Sequence, residues 1–256
     1  MSSAPRISLV FPVWNELPNL EPLLDSALAL GRRLGDPFEI VVVDDGSRDG
    51  SRERILARAR QHPEIRLLTH RANRGYGAAL RSGLREARGE LVFFSDADLQ
   101  FDLDELERLL VHSEGFDVVA GYRSPRRDPW GRRVIAFAWG TLVRLLFDLP
   151  VRDIDCAFKL FRREVLDAIP IESIGAFVNT EILVRARRAG FRIGQLPVSH
   201  RARRHGRQSG AHPRVILHAL RELALLYREL RPPTGAEADA PQSRSGLPAS
   251  RAGLET

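Results

Sequence analysis

The chain has 256 residues, of which 43% are hydrophobic and 28% charged, a size and composition that suit one α/β domain with a core large enough to need no disulfide or metal. Its single cysteine, Cys156, excludes an intramolecular disulfide framework and a cysteine-based zinc cluster, and it indicates a reducing compartment. The net charge of +6 comes almost wholly from arginine, because Lys159 is the only lysine, and it is compatible with a phosphorylated substrate, an anionic membrane surface or nucleic acid.

The sequence predicts neither a signal peptide nor a membrane span. Met1 to Arg6 lead directly into a short apolar run, and the longest uncharged apolar stretch in the middle of the chain, 134–143, ends at Arg144. A spanning helix needs roughly 20 apolar residues. We therefore expect a cytoplasmic protein that does not cross a membrane and can lie on its inner face.

Strands and helices alternate along the first half of the chain. Apolar, β-branched runs predict strands at 7–13, 39–43, 65–69, 90–95 and 117–121. Helical spacing of apolar residues predicts helices at 20–30, 51–61, 77–87 and 103–113. This alternation predicts an α/β fold with an open, mostly parallel, mixed sheet and helices on both faces, in which ligands bind beyond the carboxyl ends of the strands.

The second half of the chain is less regular. The pattern predicts a polar loop at 123–133, helices at 134–149, 180–189 and 213–230, a strand near 193–197, and a basic loop at 200–209. Residues 232–256 are rich in Pro, Ala, Ser and Gly and nearly free of large apolar side chains, so a disordered tail is expected there. We expect a single domain over 1–231.

Two pairs of carboxylates follow predicted strands, Asp44 with Asp45 and Asp96 with Asp98. Neighbouring carboxylates repel one another and are costly to bury unless a cation or hydrogen-bond donors compensate. Mg²⁺ or Mn²⁺ meets that need and keeps positions for phosphate oxygens, and Gln100 could add a neutral ligand. Each pair alone is typical of a turn or helix cap, but together they predict four acidic side chains converging on one divalent cation.

Four segments, in order along the chain, resemble family 2 glycosyltransferases of the GT-A fold, with the closest match to the branch containing dolichol- and polyprenyl-phosphate hexose synthases. The segments are 12–16, 44–51, 73–79 and 96–100, and the resemblance extends over roughly 7–230. It implies an inverting, metal-dependent hexosyltransferase that uses a GDP- or UDP-hexose, with polyprenyl phosphate as the leading acceptor. It also divides the domain into a nucleotide-sugar half at about 7–122 and an acceptor half at about 123–231.

The resemblance implies a donor site. The residues expected at the base, ribose and sugar are Pro12, Trp14, Asn15, Glu16, Asp44, Asp45, Gly46 and Gly75. Asp98 and Gln100 would hold the Mg²⁺ or Mn²⁺ against the diphosphate, with Asp96 beside them as a further ligand or a contact to the sugar. Arg123 matches a family position at which arginine contacts the phosphates. The cation would stabilise the negative charge that builds up on the departing nucleoside diphosphate.

The acceptor side is implied by 153–159, which resembles the family's acceptor motif with Ala157 in place of a glycine. A lipid phosphate is already an anion and needs no general base, whereas for a hydroxyl acceptor Asp153 or Asp155 is the candidate base. The resemblance places six further residues at the acceptor or its phosphate: Lys159, Glu181, Arg203, Arg204, Arg207 and Ser209. Cys156 is expected to be a packing residue.

Several alternatives remain open from the sequence. The acceptor could instead be the hydroxyl of a glycan, a glycolipid or a small molecule, or the chain could be a catalytically silent nucleotide-sugar binding module. The stripe formed by Phe137, Trp139, Leu142 and Leu146 indicates either peripheral membrane contact or a core helix. Nucleic-acid binding is not expected, because no recognised nucleic-acid motif is evident and unliganded carboxylate pairs repel phosphates.

Overall fold

A computed structural model of the protein describes residues 4–125, 130–203 and 213–230. The expected disordered tail at 232–256 lies outside these residues. The strands of the described chain are β1 (Ile7–Val13), β2 (Phe38–Asp44), β3 (Ile65–Thr69), β4 (Leu91–Ser95), β5 (Val118–Arg123), β6 (Phe158–Arg162) and β7 (Ile193–Val198). The helices are α1 (Leu17–Leu34), α2 (Ser51–Gln61), α3 (Tyr76–Glu86), α4 (Leu106–His112), α5 (Trp130–Phe147), α6 (Arg163–Ala168), α7 (Val178–Arg188) and α8 (Pro213–Leu230).

The strands form one mixed sheet in the order β3-β2-β1-β4-β6-β5-β7. Neighbouring strands are parallel except at β6, which runs antiparallel to both β4 and β5. The predicted α/β class with a mostly parallel, mixed sheet is therefore confirmed. Strand β6, which is short and pairs with strands distant in sequence, and the short helix α6 were not predicted from the sequence.

Helices pack against the sheet, and its central strands β1, β4 and β6 are almost entirely buried. Every residue of β1 is buried, and α1 packs its leucines against the sheet. Between β4 and β6, the Phe93 and Phe158 rings meet edge to face at 4.7 Å, and the Phe94 and Phe161 rings stack at 6.0 Å. These aromatic pairs stabilise the join between the two halves of the sheet.

The antiparallel direction of β6 determines where the acceptor motif lies. Phe158, the first residue of β6, pairs with Ser95, the last residue of β4. The segment 153–157 immediately before β6 therefore meets the segment 96–100 immediately after β4. Two motifs more than fifty residues apart in sequence come together at the carboxyl end of β4.

Helix α5 begins earlier than predicted, at Trp130, and its apolar residues divide between two environments. Trp139 packs edge to face on Phe177, and Leu146 is partly buried against the core, whereas Phe137 and Leu142 are exposed. The predicted stripe is thus split between core and surface. The exposed apolar face consists of Trp130, Val134, Ile135, Phe137, Leu142 and Leu145. No helix within the described ranges combines the length and apolarity required to span a bilayer.

Candidate functional site

The loops that follow β1, β2 and β4 form one edge of the sheet, because these three strands are parallel neighbours. After β1, the backbone N–H of Asn15 donates to Ser47 Oγ at 2.9 Å, and Asn15 Oδ1 accepts from the N–H of Arg48 at 2.8 Å. These bonds fasten the loop after β1 to the loop after β2. Beside them, Pro12 is buried in β1, and the Trp14 side chain is 52% exposed.

Asp44 is fully buried and bonded to the protein itself. One carboxylate oxygen accepts from the N–H of Ser47 at 3.1 Å, and the other accepts from Arg52 Nε at 2.8 Å. Arg52 also donates to the carbonyl of His70. Asp44 therefore orders the loop after β2 and joins it to α2.

Asp45 is also buried, and it holds a second loop in place. Its Oδ1 lies 2.6 Å from His70 Nδ1 and accepts from the N–H of Arg74 at 2.9 Å. Its Oδ2 accepts from the N–H of Gly75 at 2.9 Å. The carboxylate therefore sets the path of the chain from β3 into α3, and the role that the resemblance implies for it toward base or ribose stays a prediction.

The expectation that four acidic side chains converge on one cation was wrong. Strand β1 lies between β2 and β4, so the ends of β2 and β4 are separated by two strand spacings, roughly 9–10 Å. Within the described residues, no group of three or more His, Cys, Asp or Glu side chains could hold a metal ion together. Loop hydrogen bonds occupy Asp44 and Asp45, which leaves Asp96 and Asp98 as the carboxylates for a cation.

Asp96 and Asp98 form an electrostatically strained pair at the end of β4. Burial, together with the charge of Asp98, raises the pKa of Asp96 to about 7, and burial also raises the pKa of Asp98. Asp96 Oδ1 is buried without a hydrogen-bond partner among the described residues. Burying such an oxygen is costly unless a donor or a cation reaches it.

The backbone between the two predicted metal ligands is strained. Leu99 has a φ of 61°, in the left-handed region that residues other than glycine rarely adopt. Asp98 Oδ1 accepts from the N–H of Gln100 at 3.1 Å, and the Gln100 side-chain amide donates to the carbonyl of Arg201 at 3.0 Å. The tight turn brings Asp98 and Gln100 side by side, and the donated amide leaves Gln100 Oε1 as the atom able to reach a cation. Such strain is characteristic of functional loops.

These residues fit a divalent cation that shares its coordination with a phosphorylated ligand. Asp96 and Asp98 supply carboxylate oxygens and Gln100 an amide oxygen, all hard donors suited to Mg²⁺ or Mn²⁺. Asp96 Oδ1 has no hydrogen-bond partner in the part of the chain that the structure describes, so a cation could still bind there. Mg²⁺ commonly binds through one or two carboxylates and completes its coordination with substrate phosphates and water.

Arg203 connects the segment after β7 to this carboxylate pair. Its Nη2 donates to Glu16 Oε1, and its Nη1 lies 3.6 Å from Asp98 Oδ2. Burial raises the pKa of Glu16, an effect that the Arg203 charge opposes. Of the residues that the resemblance places in the basic loop at the acceptor phosphate, Arg203 therefore lies against Glu16 and Asp98, whereas Arg204, Arg207 and Ser209 fall outside the described residues.

Two of the motif glycines allow close backbone approach. Gly46 has a φ of 73°, and a Cβ there would lie 2.6 Å from the backbone of Ala72. Gly75 has a φ of 101°, and a Cβ there would lie 2.4 Å from the carbonyl oxygen of Ile174. Both positions therefore require glycine to fold, independently of any role toward a ligand.

Two residues predicted to act separately form one bonded unit. Arg123 donates from Nε and Nη2 to the two carboxylate oxygens of Asp153, each at 2.7 Å, and its backbone N–H donates to Asp153 Oδ2 at 3.2 Å. Asp155, two residues further along, is exposed. Asp155 therefore has the greater access to an incoming acceptor, and Asp153 orients Arg123.

Lys159 is entirely buried. Its Nζ donates to the carbonyls of Ile154 and Cys156 and, at 3.0 Å, to Asn179 Oδ1. Burial lowers the pKa of Lys159 and raises that of Cys156 to about 12, which keeps the thiol protonated. We propose that Lys159 positions the backbone of the acceptor motif through these hydrogen bonds and does not contact the acceptor itself.

Glu181 is likewise buried, and it bonds to a loop beside α3. Its carboxylate accepts from the N–H groups of Glu172 and Ser173 and from Arg185 Nε at 3.0 Å. In the same loop, the carbonyl of Ile174 accepts from the N–H of Gly77 at 2.9 Å. We propose a positioning role for Glu181, in place of the acceptor contact that the resemblance implies.

A cavity of about 450 Å³ lies between α5 and the acceptor motif. Apolar side chains of α5 line one part of it, and Arg144, Arg152, Asp153 and Asp155 line the rest. Arg144 and Arg152 were not predicted as site residues from the sequence. The available signal was that Arg152 directly precedes the acceptor motif.

Comparison with known proteins supplies a family match. The model of the family described as glycosyl transferase family 2 matches residues 8–169. An undecaprenyl-phosphate 4-deoxy-4-formamido-L-arabinose transferase from Pectobacterium atrosepticum is 36% identical over 167 residues, covering 64% of this chain and 51% of its own length. The chain therefore spans about half the length of that relative.

Two further proteins resemble the chain. A dolichyl-phosphate beta-glucosyltransferase from Trichomonas vaginalis is 36% identical over 216 residues, which cover 75% of this chain and 64% of that protein. The crystal structure of glucosyl-3-phosphoglycerate synthase from Mycobacterium tuberculosis, in complex with Mn²⁺, UDP and phosphoglyceric acid, has a TM-score of 0.64 and 26% identity. That match covers 88% of this chain and 75% of the synthase chain.

Proposed function

The chain belongs to glycosyl transferase family 2, with a GT-A type fold, and we propose that it transfers a hexose from a nucleotide sugar to a polyprenyl phosphate with inversion at the anomeric carbon. The observation that carries the proposal is the meeting of two motifs at the carboxyl end of β4. The carboxylates Asp96 and Asp98 lie on one side, and the acceptor motif at 153–157 lies on the other. Donor and acceptor can thus be held at one point.

The proposed donor is a UDP- or GDP-hexose. Trp14 offers an exposed aromatic face for the base, and Asn15 lies in the same loop, fastened to the loop after β2. Asp96, Asp98 and Gln100 would hold Mg²⁺ or Mn²⁺ against the diphosphate. When bound, the cation would stabilise negative charge on the departing nucleoside diphosphate.

Arg123 would add to that stabilisation. Its guanidinium is fixed in orientation by the two hydrogen bonds to Asp153, so it loses little conformational freedom on contacting a phosphate. A preorganised positive charge of this kind acts on charge as it develops during the reaction.

Two arguments favour a lipid phosphate as the acceptor: its charge state at neutral pH and the names of two relatives. A phosphate monoester is anionic at neutral pH, so it can attack the anomeric carbon without a general base. Asp153 is committed to Arg123, and Asp155 is the one carboxylate of the motif that is exposed. The Pectobacterium and Trichomonas relatives are named for polyprenyl-phosphate acceptors, which supports this class.

We further propose that α5 contacts the membrane that holds the acceptor. Its exposed apolar face includes Trp130, Phe137 and Leu145, which are 80%, 70% and 80% exposed. Aromatic and aliphatic side chains arranged this way stabilise a helix in the plane of a lipid interface. A peripheral position on the inner face of the membrane would place the cavity beside the lipid phosphate.

Transfer to a hydroxyl acceptor is the second candidate, and exposed Asp155 is the observation that favours it as a potential base. A screen of nucleotide sugars against polyprenyl phosphate and soluble hydroxyl acceptors, with and without Mn²⁺, separates the candidates. Metal-dependent product on the lipid phosphate supports the proposal, and product only on hydroxyl acceptors refutes it. Donor binding with no turnover on any acceptor would indicate the silent module.

A further inference from the structure

His70 directly follows β3, and the proposed function gives it no role. The residue is buried, and both ring nitrogens have partners: Nδ1 lies 2.6 Å from Asp45 Oδ1, and Nε2 lies 3.0 Å from Ser82 Oγ on α3. Its backbone N–H donates to the carbonyl of Asp44 at 2.9 Å, and its carbonyl accepts from Arg52 Nη2 at 2.8 Å. The imidazole is therefore fixed in both position and orientation.

The hydrogen-bond partners of the His70 ring determine which nitrogen carries a proton. A carboxylate oxygen can only accept a hydrogen bond, so Nδ1 carries a proton and donates to Asp45. In the neutral ring, Nε2 then accepts from the hydroxyl of Ser82. Ser82 thus anchors one side of the ring, while the other side directs a donor at a single oxygen of Asp45.

The hydrogen bonds of Asp45 leave one of its two oxygens with room for a further donor. Each carboxylate oxygen can accept about two hydrogen bonds. Oδ1 accepts from His70 Nδ1 and from the N–H of Arg74, whereas within the described chain Oδ2 accepts only from the N–H of Gly75. The two backbone N–H groups already hold the loop. His70 therefore has a further effect, because it fills Oδ1 and leaves Oδ2 as the oxygen able to accept from a ligand.

The backbone of Asp45 lies next to the residue proposed to contact the base. Its N–H donates to the carbonyl of Val13 at 2.8 Å, and Val13 directly precedes the exposed Trp14. A base N–H and the ribose hydroxyls are hydrogen-bond donors, and a bond from such a donor to a carboxylate is stronger than one to a neutral acceptor. Asp45 Oδ2 therefore suits the nucleoside part of the donor.

We infer that His70, anchored by Ser82, is a positioning residue for donor binding, which holds Asp45 so that Oδ2 accepts from the nucleoside. His70 acts through Asp45 and has no contact with the sugar or the cation. The inference deepens the proposed function and rests on it, because it requires a nucleotide donor. A role in folding alone is the alternative that the experiment tests.

Two substitutions of His70 separate its two side-chain hydrogen bonds. In His70→Asn the amide nitrogen lies near the position of Nδ1, so the bond to Asp45 is kept and the bond to Ser82 is lost. In His70→Gln the amide nitrogen lies near the position of Nε2, so the bond to Asp45 is lost instead. Both variants lose the ring and one hydrogen bond, so a role in folding alone would give them equal affinity for the nucleotide.

Calorimetry measures the Kd for UDP and for GDP in the presence of Mn²⁺. For the nucleotide that the wild type binds, His70→Gln should raise the Kd about tenfold or more, because a donor to the carboxylate is lost. His70→Asn should stay within about threefold of the wild type, and the KM for polyprenyl phosphate should stay within about twofold in both variants. His112→Gln, at an exposed histidine at the end of α4, is the control and should keep the wild-type Kd.

Nitrogen-15 NMR of the histidine rings in the wild type is a second measurement that does not depend on a variant folding. His70 should carry a proton on Nδ1, since Asp45 Oδ1 can only accept. An unprotonated Nδ1 would overturn the inference.

The outcomes distinguish the inference from the function on which it rests. If the wild type binds UDP or GDP and transfers sugar, but His70→Gln and His70→Asn bind the nucleotide equally well, His70 has a role in folding alone and the proposed function stands. Weaker binding by His70→Asn than by His70→Gln overturns the inference as well. If the wild type binds neither nucleotide and transfers no sugar, both fail.

Discussion

Arg123 holds Asp153 through two hydrogen bonds of 2.7 Å, one to each carboxylate oxygen. This bidentate geometry is the strongest form of arginine–carboxylate contact. Arg123, the candidate phosphate contact, and Asp153, a candidate base, therefore form one preorganised pair. Because both oxygens of Asp153 accept from Arg123, Asp153 is poorly suited to accept a proton from the substrate.

Asp153→Asn tests that assignment. The amide keeps the shape of the side chain but loses the charge that orients Arg123, so kcat/KM should fall about tenfold or more. The pH dependence of kcat/KM should keep the same shape, because no titrating base is removed. If the variant instead loses the fall of kcat/KM at low pH that the wild type shows, Asp153 acts as a general base and the positioning role is wrong.

Asp98→Asn tests the cation site without relying on turnover. Calorimetric titration of Mn²⁺ in the presence of UDP should show at least about tenfold weaker metal binding, because a charged oxygen ligand becomes neutral. Asp25→Asn, at an exposed position of α1, is the control and should bind Mn²⁺ as the wild type does. Equal Mn²⁺ affinity in wild type and Asp98→Asn would remove Asp98 from the site.

Lys159 predicts a pH-dependent contribution to stability. Burial lowers the pKa of Lys159 in the folded protein. In the unfolded chain the lysine pKa is about 10.4. Between those two values the unfolded chain binds a proton that the folded chain has lost, so the contribution of Lys159 to folding becomes more favourable as pH rises. Urea unfolding of wild type and Lys159→Met at pH 7 and pH 9.5 measures this. We expect the free energy of unfolding of the wild type, minus that of Lys159→Met, to be larger at pH 9.5 than at pH 7. A smaller difference at pH 9.5 would contradict the lowered pKa of Lys159.

Gly77→Ala tests the contact between α3 and the loop that Glu181 holds. A Cβ at Gly77 would lie 2.6 Å from the carbonyl oxygens of Ser173 and Gly175, which are backbone atoms and cannot rotate away. The free energy of unfolding should fall by about 1–3 kcal/mol. Gly131→Ala is the matched helical control, with nothing within 4 Å of the new Cβ, and it should be neutral or stabilising. Equal stability of the two variants would show that the loop adjusts freely.

Local sequence pattern was sufficient for most of the fold. Parallel strands buried on both faces are continuous apolar runs, so β1 and β2 were predicted close to their observed bounds. Strand β6 was not, because Phe158–Arg162 is short, includes the two charged residues Lys159 and Arg162, and pairs with β4, some sixty residues earlier. Its position is set by tertiary pairing, which no local pattern encodes.

The residues of the candidate site could be predicted from the sequence, but most of their hydrogen-bond partners could not. The motifs indicated Asp96, Asp98 and Gln100, and the structure brings them together. The sequence did not show that Asp44 and Asp45 are bonded to their own loops, because that depends on which backbone N–H groups lie nearby. The sequence also could not show that Lys159 Nζ donates to three hydrogen-bond acceptors inside the protein, because that too depends on which groups folding brings together.

The most direct measurement of the central claim is the anomeric configuration of the product. Wild-type enzyme is incubated with an α-linked nucleotide hexose, polyprenyl phosphate and Mn²⁺, and the lipid-linked sugar is examined by NMR through the coupling at the anomeric carbon. We predict a β-linked sugar phosphate that forms only with the cation and is lost in Asp98→Asn. An α-linked product, or equal yield in the presence of a chelator, would contradict the account.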